Sequence, residues 1–395
     1  MGRELMFIGL AFLLCGLFAR AGSRIGLPTI PLFVAAGILV GPNTPGVVLF
    51  EHPEDLELLA AFGLIFLLFY LGVEFSVEQL TAGGSKLLAA AGVYLLLNIG
   101  GGLIMGFAIG WGTREAVVIA GVTGISSSAI VTKSLVELHR MNNPESGLIM
   151  GIIVIEDLFL ALFLAALAPI LGNADSFGEG ALLFLRAAAF LIVLALVARY
   201  GVGAVERVIS SDNDELLVLL FVGFALLVAG AAYQLGISDA IGAFMAGLVL
   251  AGTAAAHRIE KLVRPLRDAF GALFFFAFGL SINPNQISTV LVPATIAIVV
   301  TAILALVASI VAARLNGLDR QATANMAALL AARGEFALIL VTLAVAAGLD
   351  EQLSPFVAVY VLVLALASPI LAHRSHLLLW FIPARLVPDI VPAEG

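Results

Sequence analysis

Two neighbouring carboxylates, Glu156 and Asp157, interrupt the apolar run GIIVIEDLFLALFLAALAPIL that extends from Gly151 to Leu171. A carboxylate at the centre of a bilayer costs roughly 3 kcal/mol on insertion scales. Adjacent helical positions point about 100° apart, so we expect one carboxylate to face a cavity while the other pairs with protein. A half-buried carboxylate can hold a proton or a cation, but hardly both, and this exclusivity is the chemistry of exchange.

Two further polar clusters interrupt apolar runs. One is GVTGISSSAIVTK, Gly121 to Lys133, and the other is AARGEFALIL, Ala331 to Leu340. Unwound backbone in a membrane is tolerated only where it is buried in protein or lines a cavity, and the freed helix ends attract ions. We therefore predict two broken helices that form or support an ion site. The polar residues concerned are Thr123, Ser126, Ser127, Ser128, Arg333 and Glu335.

Each cluster also has a structural explanation. Small residues let helices pack closely. Arg333 could pair with the carboxylates to lock two helices together, or Arg333 and Glu335 could neutralise each other where the broken helices cross. For the carboxylate pair we favour the functional interpretation, because ionisable residues inside a membrane are functional by default.

The composition is that of a membrane protein. Of 395 residues, 62% are hydrophobic and only 12% are charged, against about 25% charged in soluble proteins. The single cysteine, Cys15, excludes a disulfide within the chain, and no basic patch indicates nucleic acid. We predict an all-α polytopic membrane protein with about thirteen transmembrane helices. The predicted spans are 4–20, 27–42, 57–74, 86–110, 115–137, 146–171, 181–200, 215–233, 237–253, 266–281, 287–314, 322–347 and 355–373.

The loop charges predict the orientation. Basic residues collect in alternate loops, including HRIEKLVRPLRD, which we interpret as a cytoplasmic loop. The other loops are acidic: FEHPEDLE, GNADSFGEG and GLDEQLSP. Positive residues favour the cytoplasm, so we expect a retained first helix, the N-terminus outside and the C-terminus in the cytoplasm. Both interrupted spans are second in a group of three, spans 4–6 and 11–13, which predicts an inverted repeat.

Five motifs carry a family resemblance: FLLFYLGVEFS, GISSSAIVTKSLVEL, NPESGLIMGIIVIEDL, GISDAIGAFMAGLVLAG and RGEFALIL. Their order and spacing, from about Leu27 to Leu371, resemble the monovalent cation:proton antiporters of the Kef (potassium-efflux) type, among them the membrane subunits of two-component potassium/proton antiporters. The resemblance implies an NhaA/NapA-like antiporter fold, a homodimer and an elevator mechanism in the bacterial inner membrane.

The resemblance also implies a division of the chain. Residues 1–380 would form a single transmembrane antiporter unit, and residues 381–395 a short cytoplasmic tail. The core or transport domain would cover 86–171 and 287–373, the scaffold and dimerisation domain 4–74 and 215–281, and a linker helix 181–200. Because the chain stops at Gly395, we expect regulation by a separate cytoplasmic subunit, unless the chain is truncated.

Residue roles follow from the same resemblance. Asp157 would bind the monovalent cation or the proton, with Glu156 beside it, and Thr123–Ser128 would cross Arg333–Glu335. The Glu-Asp pair leans towards potassium. The eleventh span has no basic residue before Arg314, so Asp157 alone would carry the exchange. No cofactor is implied beyond the transported ions.

We therefore expect a cation/proton antiporter in the lipid bilayer, potassium before sodium, and not an enzyme. Three alternatives remain open at this stage. They are a sodium/proton antiporter, an uncoupled channel-like protein, and an organic-anion symporter in which Arg333 meets a carboxylate.

Overall fold

All regular elements in the described part of the chain are helical, as predicted. The computed structural model describes residues 2–24, 27–44, 48–50, 52–74, 84–171, 185–186, 189–190, 192–194, 196–235 and 238–387. The α-helices are α1 (Gly2–Ser23), α2 (Thr29–Val40), α3 (Glu57–Glu74), α4 (Gly84–Ile109), α5 (Thr113–Gly124), α6 (Ser128–Glu137), α7 (Pro144–Leu171), α8 (Val202–Ile209), α9 (Asp214–Gln234), α10 (Asp239–Ala251), α11 (Ala256–Ser281), α12 (Pro284–Asn316), α13 (Arg320–Leu330), α14 (Glu335–Ala346) and α15 (Leu353–His373). Short 3₁₀ helices cover Pro53–Leu56 and Ser375–Phe381, and Val197–Gly201 forms a π-helical turn.

The described residues contain nine stretches that are long and apolar enough to cross a membrane. Two of these stretches, Thr113–Glu137 and Arg320–Ala346, are interrupted helix pairs. The helices α2 and α10 are apolar but shorter. The chain is therefore a multi-pass membrane protein. The predicted count of thirteen stays a prediction, because the expected span 181–200 lies partly outside the described residues.

The prediction that HRIEKLVRPLRD is a loop is wrong, because these residues form the first half of α11. That helix begins at Ala256, ten residues before the predicted start of the span at 266. Ile259 and Val263, one turn apart, are buried in a cluster with residues of α3 and α9. An amphipathic helix can hold its charges on one face while the other face packs against its neighbours. A count of charged residues alone does not reveal such a helix.

The chain divides into two compact units. The first contains Met1–Ala21, Leu32–Val77 and Ala161–Ile282. Within it, α3 packs against both α10 and α11. Its core is rich in phenylalanine, and the rings of Phe69 and Phe221 stack with centroids 5.8 Å apart. The buried side chains among the described residues of this unit are apolar, apart from Thr253.

The second unit contains Gly22–Pro31, Glu78–Leu160 and Asn283–Gly395. In it, α4 packs against α5 and α12, while α14 packs against α5 and α15. Of the described side chains that are polar and buried, all but Thr253 belong to this unit. Burying a polar group costs free energy unless it is hydrogen-bonded, so this concentration marks the second unit as the place to look for a site.

Candidate functional site

Both predicted interruptions are present, and they touch each other. The helix α5 ends at Gly124 and α6 begins at Ser128, with extended backbone at Ile125. The helix α13 ends at Leu330, and α14 begins at Glu335. The backbone N–H of Ser127 donates to the carbonyl oxygen of Ala332 at 3.0 Å. Four helix ends therefore meet at one crossing inside the second unit.

A glycine permits this close approach. A Cβ on Gly334 would lie only 2.4 Å from Oγ and 2.7 Å from Cβ of Ser127. Ser127 is also the N-cap of α6, and its hydroxyl oxygen accepts the N–H of Ile130 at 3.4 Å. Serine is a favoured N-cap because its oxygen satisfies a free helix-end donor. The local sequence therefore specifies both the break and the contact.

Glu156 is the fully buried member of the carboxylate pair. Its side chain is 0% exposed. Its Oε2 accepts the backbone N–H of Ser126 at 2.9 Å, and its Oε1 lies 3.3 Å from the Ser126 hydroxyl. Ser126 lies just before the start of α6, where the helix dipole favours negative charge. Asp157, next to it on α7, is partly exposed.

Arg333 binds the C-terminal ends of the half-helices, whereas Glu156 binds near an N-terminal end. Its guanidinium is 0% exposed. Nη1 donates to the carbonyl oxygens of Leu330 at 2.9 Å and Ala332 at 3.1 Å. Nη2 donates to the carbonyl oxygen of Thr123 at 2.7 Å and to Oδ1 of Asn98 at 3.2 Å. The last carbonyls of a helix carry partial negative charge, so Arg333 compensates the C-terminal ends of both α5 and α13.

The hydrogen-bond partners of Arg333 are not the carboxylates that were suggested for it. The hydrogen bonds of its guanidinium with described residues all go to uncharged oxygen atoms, and none goes to Glu156. Glu335 is the first residue of α14 and is partly exposed, a position where an acidic residue stabilises a helix. Its expected neutralisation by Arg333 stays a prediction.

Two residues on α4 complete the crossing and were missed in the sequence. The Tyr94 hydroxyl lies 3.1 Å from Oγ of Ser126 and also donates to the carbonyl oxygen of Leu330. Asn98 accepts from Arg333 through its side chain, while its carbonyl oxygen accepts from the Thr123 hydroxyl at 3.1 Å. Their spacing of four residues places both on one helix face. That spacing within an apolar helix was the available signal.

The predicted hydroxyl residues divide into two groups. Thr123, Ser126 and Ser127 are buried, and their hydroxyls are used within the crossing. Ser128, by contrast, is partly exposed, as Asp157 is. The structure thus brings Glu156, Ser126, Ser127 and Arg333 into one hydrogen-bonded centre, and Asp157 follows Glu156 on α7 as a partly exposed residue. Such a centre can stabilise charge in the membrane while one carboxylate changes its occupant.

A bundle of apolar helices in which two interrupted helices meet beside membrane-embedded carboxylates is the architecture of ion-coupled secondary transporters. The model of the transmembrane sodium/hydrogen exchanger family matches residues 9–373. The chain belongs to this family, whose members are transporters rather than enzymes. The resemblance inferred from the sequence motifs is thereby confirmed.

Individual relatives agree with this assignment. The chain is 37% identical to the K(+)/H(+) antiporter subunit KhtU of Bacillus subtilis, over 93% of this chain and 92% of the relative. It is 30% identical to the ammonium/H(+) antiporter subunit AmhT of Alkalihalophilus pseudofirmus, over 86% of each. The solved sodium proton antiporter MjNhaP1 from Methanocaldococcus jannaschii shares the fold, with a TM-score of 0.69 and 16% identity over 94% of this chain and 98% of that chain.

Proposed function

We propose that this chain exchanges a monovalent cation for protons, that potassium is the favoured cation, and that Asp157 holds the cation and the proton in turn. One observation carries the proposal. Of two adjacent carboxylates on α7, Glu156 is fully buried and bonded to Ser126, whereas Asp157 is partly exposed. The name of the relative KhtU, a K(+)/H(+) antiporter subunit, supports the choice of ions.

The chemistry of this exchange is competition for one carboxylate. At low pH a proton occupies Asp157 and excludes the cation, and at high pH no proton is at hand to be exchanged. Glu156 and Arg333 keep their protein partners throughout the cycle, so the crossing stays intact while Asp157 changes its occupant. Fixed partners of this kind need no rearrangement when charge moves.

We also propose an elevator mechanism in a homodimer. The second unit would be the moving transport domain; it contains most of the expected core 86–171 and 287–373, whereas residues 161–171 belong to the first unit. The first unit would provide the scaffold and the dimer interface, and 181–200 the linker. Support comes from the location of the crossing and of nearly all buried polar side chains within the second unit. The two interrupted helices are the basis for proposing an NhaA-like inverted repeat.

The cellular setting is a proposal as well. The family resemblance implies the bacterial cytoplasmic membrane, and the loop charges favour an N-terminus outside and a C-terminal tail inside. The relatives KhtU and AmhT are both named as antiporter subunits. A separate cytoplasmic regulatory subunit for this chain is consistent with those names.

Sodium is the second candidate for the transported cation. The family is described by sodium/hydrogen exchange, and the solved structure with this fold is a sodium proton antiporter. A bare carboxylate binds both ions, so selectivity depends on the size and number of the remaining oxygen ligands.

Reconstitution into liposomes that contain a pH-sensitive dye tests the proposal. Potassium, sodium, lithium and rubidium are added in turn to vesicles that hold a proton gradient, with choline as the control cation. We expect potassium to release protons at the lowest concentration. A lower effective concentration of sodium would reassign the cation. Cation flux without proton movement would identify a channel instead.

A further inference from the structure

The segment that follows the last membrane span has one exposed side and one buried side. The helix α15 ends at His373, and a 3₁₀ helix covers Ser375–Phe381. On one side Trp380 is 87% exposed, Phe381 58% and Leu377 54%. The rings of Trp380 and Phe381 meet edge to face, with centroids 5.4 Å apart. These three side chains are called the aromatic face below.

The opposite side of this segment is held by the second unit. Arg320, the first residue of α13, donates from Nε to the carbonyl oxygen of Ile382 at 3.1 Å and from Nη2 to that of Leu379 at 2.7 Å. Gln321 donates to the Ser375 hydroxyl at 2.9 Å. Ile382 and Val387 are buried in a cluster with Ala313 and Ala324.

This docking fixes the orientation of the segment. Because the buried side is occupied by α12 and α13, the aromatic face cannot turn inward without breaking the Arg320 hydrogen bonds. An exposed cluster of large apolar side chains on an ordered segment indicates a surface that is covered by something else.

Position and charge favour lipid as the covering. The segment begins two residues after the end of a membrane-spanning helix, so it lies at the membrane surface. Tryptophan is enriched at that depth because its ring is apolar and its N–H is polar. Exposed basic or titratable residues flank the aromatic face, and the sequence has no Asp or Glu from Gln352 to Pro388. These flanking residues are His373, Arg374, His376 and Arg385.

We propose that Ser375–Val387 is an interfacial anchor, with the aromatic face inserted at the headgroup level of an anionic membrane surface and the other face fixed to α13. Basic side chains near such a surface are attracted to its anionic headgroups. The anchor ties the start of α13, whose far end builds the crossing with Arg333, to the bilayer surface. It does not depend on which cation is transported.

Tryptophan fluorescence tests the anchor, because the chain has only two tryptophans. The variant Trp111→Phe leaves Trp380 as the sole reporter and keeps a ring against Phe356, which Trp111 meets edge to face. This variant is reconstituted into phosphatidylcholine and phosphatidylglycerol vesicles with lipids brominated either near the headgroup or near the chain end. Iodide serves as the aqueous quencher.

We expect quenching several-fold stronger from bromine near the headgroup than from bromine near the chain end, with weak quenching by iodide. Strong iodide quenching without bromine quenching would show a hydrated segment and overturn the proposal. Emission that neither quencher reaches would show a protein cover, either a second copy of the chain or a partner subunit, and would overturn it equally.

A matched pair of variants tests the docking side. Arg320→Gln removes the two hydrogen bonds to the segment, whereas Arg314→Gln changes an exposed arginine at the end of α12. Both substitutions are made in the Trp111→Phe variant. We expect the fluorescence anisotropy of Trp380 to fall in Arg320→Gln and to stay at the value of the Trp111→Phe variant in Arg314→Gln. Equal anisotropy in both variants would contradict the fixed orientation.

Discussion

At the residue scale, the crossing works by matching side chains to the polarity of each helix end. The start of α6 meets Glu156, and the ends of α5 and α13 meet Arg333. Each partner replaces the water that an interrupted helix has in a soluble protein. Substitutions at the crossing should therefore separate residues that hold the backbone from the residue that binds the ion.

Glu156→Gln should retain partial exchange with a changed ion preference or apparent affinity. The amide oxygen still accepts the Ser126 N–H, but the negative charge beside Asp157 is gone. Glu156→Ala should in addition lower the melting temperature, because a buried N–H without an acceptor costs about 1–3 kcal/mol. Liposome assays and thermal denaturation measure the two effects. Complete loss of exchange in well-folded Glu156→Gln would make Glu156 a carrier itself.

Tyr94→Phe should weaken the crossing without changing its charge. The substitution removes the hydroxyl that joins Ser126 to the Leu330 carbonyl, and one buried hydrogen bond contributes about 1 kcal/mol. We expect a lower melting temperature and slower exchange with unchanged ion preference. Tyr233→Phe, at an exposed tyrosine of α9, is the control. Equal melting temperatures for the two variants would remove Tyr94 from the crossing.

The sequence predicted the charged residues of the site better than their partners. Glu156, Asp157 and Arg333 stand out because charge is costly in an apolar run. Tyr94 and Asn98 are uncharged and tolerable in any buried helix, so composition did not single them out. The choice of backbone carbonyls over carboxylates as partners of Arg333 depends on the three-dimensional crossing, which no local pattern encodes.

At the element scale, the position of α5 depends on its close approach to α4. A Cβ on Gly102 would lie 1.8 Å from the Thr123 hydroxyl oxygen and 2.9 Å from Cα of Ala120. Gly102→Ala should therefore displace α5, cost about 1–3 kcal/mol of overpacking and slow exchange.

The helix α4, which contains Gly102, also provides the control for this test. A Cβ on Gly100 would meet nothing within 4 Å, so Gly100→Ala should leave the melting temperature unchanged or raise it slightly, since alanine favours helix. Thermal denaturation of both variants decides the matter. Similar losses in both would show that the α4–α5 contact is not the cause.

The breaks in the two interrupted helices were predictable, whereas the start of α11 was not. Glycines and hydroxyl residues in mid-span announce a break directly. The basic first half of α11 resembles a loop in composition, and only its buried stripe of Ile259 and Val263 reveals the helix. A helix break that is signalled by polar residues in an apolar span is thus easier to predict than a helix start that is defined only by buried contacts.

At the scale of the whole molecule, apolar composition predicted a multi-pass helical protein, and the motifs predicted its family. The division into two units depends on long-range contacts between segments that are distant in sequence. Such contacts leave little trace in a single sequence. Selectivity for the transported cation likewise depends on the geometry of its oxygen ligands rather than on composition.

The exchange cycle should move no net charge. Only Asp157 is proposed to change its occupant, and α12 has no basic residue before Arg314, so one proton should be exchanged for one cation. The membrane potential, worth about 2.3 kcal/mol per charge at 100 mV, should then not drive transport. Proteoliposomes clamped at different membrane potentials should show the same rate of proton movement and the same final pH gradient, both read from the pH dye. A rate or a gradient that shifts with the imposed potential would require a second titrating group.

The most direct test of the central claim is cation-driven proton movement by Asp157→Asn in proteoliposomes. An amide cannot trade a proton for a cation, so the account predicts no dye response to potassium at any pH, with normal melting temperature and elution volume. Asp212→Asn, at an exposed loop residue, is the matched control and should transport like the parent protein. Proton movement by well-folded Asp157→Asn on addition of potassium would contradict the assignment of Asp157 as the carrier.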